Sequence, residues 1–330
     1  MRPYVQIGFM PKALSIRPKP YPHEWRPGLP YVDRIETANI VDPQTELTAF
    51  RTGTICCLDR GIADFQSIKQ TNPDVEYTRS LVTSPTMIGM NAKNPIFKDI
   101  RVRKAITLAT DHDAVLKIAA EGDGQWRGPV SGQHEGWVLS QEELRKLMPY
   151  DPKTAKQLMV DAGYGQGITM EMIYDPSSSN TKFVAELFVE ELKAAGINVK
   201  LAPFPNAILR AKEISGDYQA LDLGADGQST VLAHFTQNYR TGGSKNRMQL
   251  NDTSLDARID ELVAIADEVE RKKKVLDLQR WLLENYYYKV TYYDSYTYAM
   301  RHPWVHGAKT QFTHFYVSRF VDVAEIWADK

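Results

Sequence analysis

Cysteine is almost missing from this chain of 330 residues: it has two, Cys56 and Cys57, and they are sequence neighbours. Adjacent Cα atoms across a trans peptide lie about 3.8 Å apart, closer than ordinary disulfide geometry allows, so two buried or half-buried thiols are expected. With no other cysteine and no CxxC spacing, a structural zinc site is not expected. Of His134, His234, His302, His306 and His314 only His302 and His306 stand close in sequence, with no cysteine or acidic residue beside them, so no metal and no cofactor is expected. Long apolar runs are lacking too, and none approaches the roughly 18 residues that span a bilayer. The opening "MRPYVQIGFMPKALSIRPKP" is broken by Gln6, Gly8, Pro11 and Lys12, which leaves no uninterrupted core of a secretory signal. On these residues alone the chain reads as cytosolic. Neither sign of charge dominates: 40 Lys and Arg face 41 Asp and Glu, for a net charge of −1. A nucleic-acid partner is therefore not expected, and the densest basic run, "ERKKK" at 270–274, reads as the solvated face of a helix. Catalytic signatures are absent as well. There is no GxSxG, HExxH or GxxxxGK[ST], and Asp111, His112 and Asp113 are immediate neighbours whose side chains do not converge, so they read as helix capping. No enzyme is expected.

What is present is a globular composition, 43% hydrophobic and 25% charged, on a chain long enough for two lobes or one elaborated α/β domain. Between residues 95 and 225 helix and strand patterns alternate. Asp99 reads as the N-cap of a helix with Val102, Ala105, Ile106 and Ala109 inward; Asp111 caps a second, short helix that Gly122 closes. Asp151 and Pro152 open a third that Gly163 ends. "ITMEMIY" (168–174), a helix with Phe183, Val184, Leu187, Phe188 and Leu192 on its inner stripe, and "INVKLAPF" form a βαβ unit, which predicts a parallel pair. A further helix, "NAILRAKEISG", and a further strand, "YQALDL", bring the chain to Gly224, Ala225 and Asp226, at the strand end where open α/β sheets hold ligands. Two amphipathic helices follow, with Leu255, Ile259, Leu262, Val263 and Ala266 on the first and Val275, Leu278, Trp281 and Leu282 on the second. After them comes a tyrosine-rich strand that includes Tyr292, Tyr293, Tyr296 and Tyr298. Residues 1–90 carry strand and turn signals around one helix near 43–52, and the pattern changes near residues 93 and 289.

Seven stretches in order carry a resemblance: "EWRPGLPYVDRI" (24–35), "MIGMNAKNPIFKDIRVRKAITLATDHDAV" (87–115), "GPV" (128–130), "YDPKTAKQLMVDAGY" (150–164), "SGDYQALDLGAD" (215–226), "NDTSLDARIDELVAIAD" (251–267) and "YAMRHPWVHG" (298–307). They resemble the C-terminal part of the extracytoplasmic solute-binding proteins of ABC importers, the cluster of dipeptide, oligopeptide and nickel receptors (family 5). The resemblance implies an α/β protein of the two-lobed, type II periplasmic-binding-protein fold with its N-terminal portion missing, as in a truncated gene, a misassigned start or a fragment. Residues 94–288 then form the second lobe, 1–93 and 289–330 part of the first, with hinge strands near 88–94 and 288–297. It further implies a monomer that captures a peptide or similar small solute and delivers it to membrane permease subunits. The intact protein would be periplasmic or extracytoplasmic, although this chain shows no export signal.

In peptide-binding relatives an acidic residue in a sequence resembling "GWxADxxxP" pairs with the ligand's α-ammonium group. Asp226 occupies the matching place, with Leu223, Gly224, Ala225 and Gln228 around it, while Leu223 replaces the family's aromatic residue and "GQSTVLAHF" lacks its Pro-containing continuation. Trp126, in a loop that borders the cleft of relatives, and alternate tyrosines of the hinge strand, Tyr293 and Tyr296, complete the expected ligand-binding set. Open beside these are structural readings, in which Asp226 caps a turn or helix and Trp126 packs. Two further functions also stay open: a cytosolic ligand-sensing domain of a regulator, or a nickel- or sugar-binding receptor of the same fold.

Overall fold

The computed structural model describes residues 5–8, 14–16, 31, 35–38, 40, 42–82, 87–177, 179–222, 230–291, 293–307, 311–312, 317–318 and 326–329. In chain order come strands β1 (Val5–Gly8), β2 (Leu14–Ile16) and β3 (Ile35–Ala38), helix α1 (Pro43–Arg51), β4 (Cys57–Arg60), α2 (Ile62–Thr71), β5 (Glu76–Val82) and β6 (Met87–Met90). Then follow α3 (Ile100–Ala109), α4 (His112–Ala119), β7 (Gly124–Trp126), α5 (Gln141–Leu147), α6 (Pro152–Asp161), β8 (Ile168–Tyr174), α7 (Ser179–Lys193), β9 (Ile197–Pro203), α8 (Asn206–Ser215) and β10 (Ala220–Asp222). The chain continues with α9 (Val231–Asn238), α10 (Thr253–Ala264), α11 (Glu268–Glu284), β11 (Lys289–Thr291) and β12 (Tyr293–Arg301). It divides into two compact units, residues 1–82 with 296–330, and residues 83–295. These limits place β6 and β11 in the second unit, because both strands hydrogen-bond into its sheet.

In the first unit, β12 lies between β4 and β5. The apolar side of α1 and α2 closes over it, so that Leu47, Phe50, Ile55, Leu58, Ile68, Val75, Tyr298 and Met300 form one core. Phe65 stacks on Tyr298 at 4.2 Å between ring centroids. Cys56 and Cys57 are buried thiols, not joined in a disulfide, whose sulfurs approach to 3.5 Å.

The second unit is a five-stranded sheet in the order β11-β6-β10-β8-β9. β8 pairs in parallel with both β9 and β10, while β6 runs antiparallel to β10 and β11. Side chains alternate along the strands, and both faces are covered. Met170, Met172, Ala220, Ile88 and Met90 face a cluster with α3, α6 and α7; Ile173, Leu221 and Met87 face a second cluster with α8 to α11. Helix starts follow the expected chemistry. Asp99, Asp111 and Asp151 each accept a backbone N–H of their own first turn, which satisfies a donor that has no partner inside the helix. Gly167 opens β8 at φ +83, where an added Cβ would stand 2.9 Å from the carbonyl oxygen of Gly196, so this turn and the end of α7 close together only without side chains. Three sequence expectations fail. Phe183 is 38% exposed, because the buried stripe of α7 runs through Val184, Ala185, Phe188 and Leu192 instead; Val263 is also exposed, since Leu255, Ile259 and Leu262 already fill the side of α10 that meets the core; and Ala266 is exposed because α10 ends at Ala264.

Candidate ligand-binding site

The parallel strands of the second unit end together. The pairings Asp222–Ile88 and Thr291–Met87 set the ends of β10 and β11 against the start of β6, and β8 ends beside them at Tyr174. β10 is buried along its length, so Asp222 delivers the chain to this edge already desolvated. Leu223, Gly224, Ala225, Asp226 and Gln228 come next and lie outside the described residues, as does Tyr292. The described chain resumes at Thr230, whose hydroxyl accepts the N–H of Ala233 at 3.1 Å and so caps α9. In sequence, Asp226 falls between a buried strand end and a helix N-terminus.

Beside this edge lies a buried polar network that sequence reading does not find. The Arg127 guanidinium meets Asp294 at 3.0 Å, with side-chain exposures of 1% and 0%. The other Asp294 carboxylate oxygen accepts the Ser131 hydroxyl at 3.0 Å and the Gly132 N–H at 2.7 Å. Thr291 donates its hydroxyl to the Arg127 carbonyl at 2.6 Å, and a ring nitrogen of His234 on α9 lies 2.9 Å from the Pro129 carbonyl oxygen. Loop 127–132 is thereby tied both to the strand end and to the helix that follows the 223–229 segment. Burial pushes the Asp294 carboxyl above its ordinary range, against the opposing effects of Arg127, Gly132 and Ser131. His112, buried at the start of α4, sits 2.9 Å from the Thr291 carbonyl oxygen, and burial lowers its pKa to about 4. The sequence signal for this network was weak: one acid in a tyrosine run, and one arginine beside Trp126.

The aromatic candidates are placed as follows. Trp126 is 5% exposed in β7; its indole N–H donates to Asp113 at 2.8 Å, its ring centroid lies 4.7 Å from that of His112, and the Arg145 guanidinium lies 4.4 Å from it. The Gln141 side chain holds both its backbone N–H and its carbonyl at 2.9 Å. Tyr293 is 1% exposed within the core that includes α3 and α7. The contacts of Trp126 and Tyr293 are packing within the unit. Tyr296, in the first unit, is half-buried with the Arg79 guanidinium 3.3 Å from its ring centroid. Among the described residues no three His, Cys, Asp or Glu side chains group to hold a metal ion, and no helix is long and apolar enough to cross a membrane.

This architecture has counterparts. Residues 3–247 match the family model of bacterial extracellular solute-binding proteins, family 5, middle region. Heme-binding protein A of Haemophilus influenzae is 25% identical over 258 residues, 76% of this chain and 46% of that protein. Oligopeptide-binding protein AppA of Bacillus subtilis is 23% identical over 297 residues, 83% of this chain and 53% of that protein, and its structure with a nonapeptide superposes with a TM-score of 0.72 at 20% identity, covering 93% of this chain and 65% of that one. The structure of AgaA from A. tumefaciens R10 with agropinic acid gives a TM-score of 0.79 at 22% identity, covering 97% and 65%. The chain therefore spans about half the length of these curated relatives. The fold is that of the two-lobed type II periplasmic binding proteins. The chain belongs to the bacterial extracellular solute-binding proteins of family 5.

Proposed function

We propose that this chain acts in the substrate-binding component of an ABC importer, capturing a peptide or similar small solute outside the cytoplasm for delivery to membrane permease subunits, and that it is a binder without catalytic turnover. The observation that carries the proposal is the family match across residues 3–247, which spans the sheet edge where β10 ends. Asp226 is the proposed anchor. A carboxylate there forms a charge-assisted hydrogen bond with a cationic group such as a peptide α-ammonium, which strengthens as water is excluded. Leu223, Gly224, Ala225 and Gln228 offer backbone and amide groups beside it, and the Arg127–Asp294 network supports the edge from within the second unit. Trp126 and Tyr293 act as packing supports within the second unit. The names of the relatives cover an oligopeptide, heme and agropinic acid, so the solute class is set by experiment. Calorimetric titration of the chain with a short-peptide library, heme and agropinic acid tests the proposal: saturable binding of one class supports it, and no binding of any of them opposes it.

A further inference from the structure

At the opposite end of the second unit's sheet, where β6 leaves at Met90 and β10 enters at Ala220, a groove of about 510 Å3 opens between the end of α8, loop 241–251 and the turn after β6. Four cationic side chains line it, Lys93, Arg210, Lys245 and Arg247, against one carboxylate, Glu213. That imbalance stands out in a chain whose net charge is −1. Glu213 is buried, and a single oxygen of its carboxylate takes both Arg210, at 2.6 Å, and Arg247, at 3.4 Å, so one negative charge is shared by two guanidinium groups.

Gln249 forms the floor. It holds a left-handed backbone, φ 55, which is costly for a residue with a side chain, and from there its amide N–H group donates to the Glu213 carbonyl at 2.9 Å. Its side-chain oxygen accepts the Lys93 ammonium at 3.1 Å, so that cation is held over the groove by a neutral amide. Near Gln249 and Glu213 the buried Tyr218 hydroxyl makes no hydrogen bond of normal geometry among the described residues. Burial and the Glu213 charge keep the phenol protonated. Excess cations, planar guanidinium forks and side-chain amides gathered in one concavity suit a multiply charged, tetrahedral oxyanion better than a single carboxylate.

We propose that this groove binds a phosphate-type oxyanion, independently of the solute site at the other end of the sheet. Its source is either a free phosphate compound or a phospholipid headgroup. Lys93→Gln with Lys245→Gln removes two charges while leaving both arginines on Glu213. The test titrates pyrophosphate into the chain by calorimetry, follows the backbone amides of residues 242–247 by NMR, and measures co-sedimentation with phosphatidylglycerol and phosphatidylcholine vesicles. Saturable pyrophosphate binding that shifts those amides, and that weakens at least about tenfold in the double variant, supports the free-phosphate source. Retention on phosphatidylglycerol but not phosphatidylcholine vesicles, lost in the double variant, supports the headgroup source. Absence of binding in both arms, or equal binding by wild type and double variant, overturns the proposal; the amide shifts need no variant and hold if the double variant folds poorly.

Discussion

Arg127→Met keeps the length of the side chain and removes the charge, leaving the Asp294 carboxylate buried at 0% exposure with only Ser131 and Gly132 to satisfy it. Breaking a buried ion pair by removing one partner costs about 3–5 kcal/mol, because the remaining charge stays desolvated. The expected loss in the unfolding transition of the second unit, followed by tryptophan fluorescence in urea at pH 7, is of that size. The loss depends on pH in a definite direction. Asp294 already has a raised pKa in the folded chain, so the folded state holds its proton more tightly than the unfolded state does. Arg127 opposes that rise, so its removal raises the pKa further. The stability linked to this proton is complete below the unfolded carboxylate value and is lost as pH rises through the folded value, so Arg127→Met loses less at pH 4 than at pH 7. Adding Asp294→Asn removes the stranded charge and recovers part of the loss at pH 7. If the double variant is as unstable as the sum of the two single variants, at every pH, the ion pair does not hold this corner of the unit and the reasoning is wrong.

Glu191, pushed up to about 8 by burial, follows the same sign: its contribution is intact below about pH 4.5 and is lost as pH rises through 8. Glu191→Gln should therefore flatten the fall in stability between pH 6 and 9, a change on the order of a few kcal/mol read by denaturation at each pH. His112, lowered to about 4 by burial, behaves oppositely, contributing stability above its unfolded value of 6.5 that disappears as pH falls through 4; an NMR titration of its ring protons should show a neutral imidazole at pH 6. Phe188→Ala should cost about 3–5 kcal/mol by leaving a cavity in the core, whereas Phe183→Ala on the exposed side of α7 should stay within about 0.5 kcal/mol in the same melts.

Local signals carried most of the second unit. Asp99, Asp111 and Asp151 announce helix starts because a cap depends on residues two or three positions away, and the strand Ile168–Tyr174 is read from its own residue types and length. α2 escaped because it begins at Gly61 with no side-chain cap and shows its apolar face only through Ile62, Phe65 and Ile68. Phe183 and Val263 misled because hydrophobicity alone does not say which side of a helix meets the sheet. Arg127 and Asp294 stand 167 positions apart, and only the return of the chain to β7 after α11 brings them together. The aromatic residues were legible as candidates, but their burial was not, because exposure is decided by what the rest of the chain lays over them.

The most direct test of ligand capture at the β10 edge is a calorimetric comparison of the chain and its Asp226→Asn variant, each titrated with small peptides bearing a free amine and with the same peptides N-acetylated. Asparagine keeps the shape of aspartate, caps a turn nearly as well and carries no charge. The account predicts that the free-amine peptides bind the wild type and lose about 2–5 kcal/mol on the variant, that acetylation weakens wild-type binding similarly, and that the melting temperature barely moves. Equal affinity of the two proteins for every peptide, or unchanged affinity after acetylation, would contradict it.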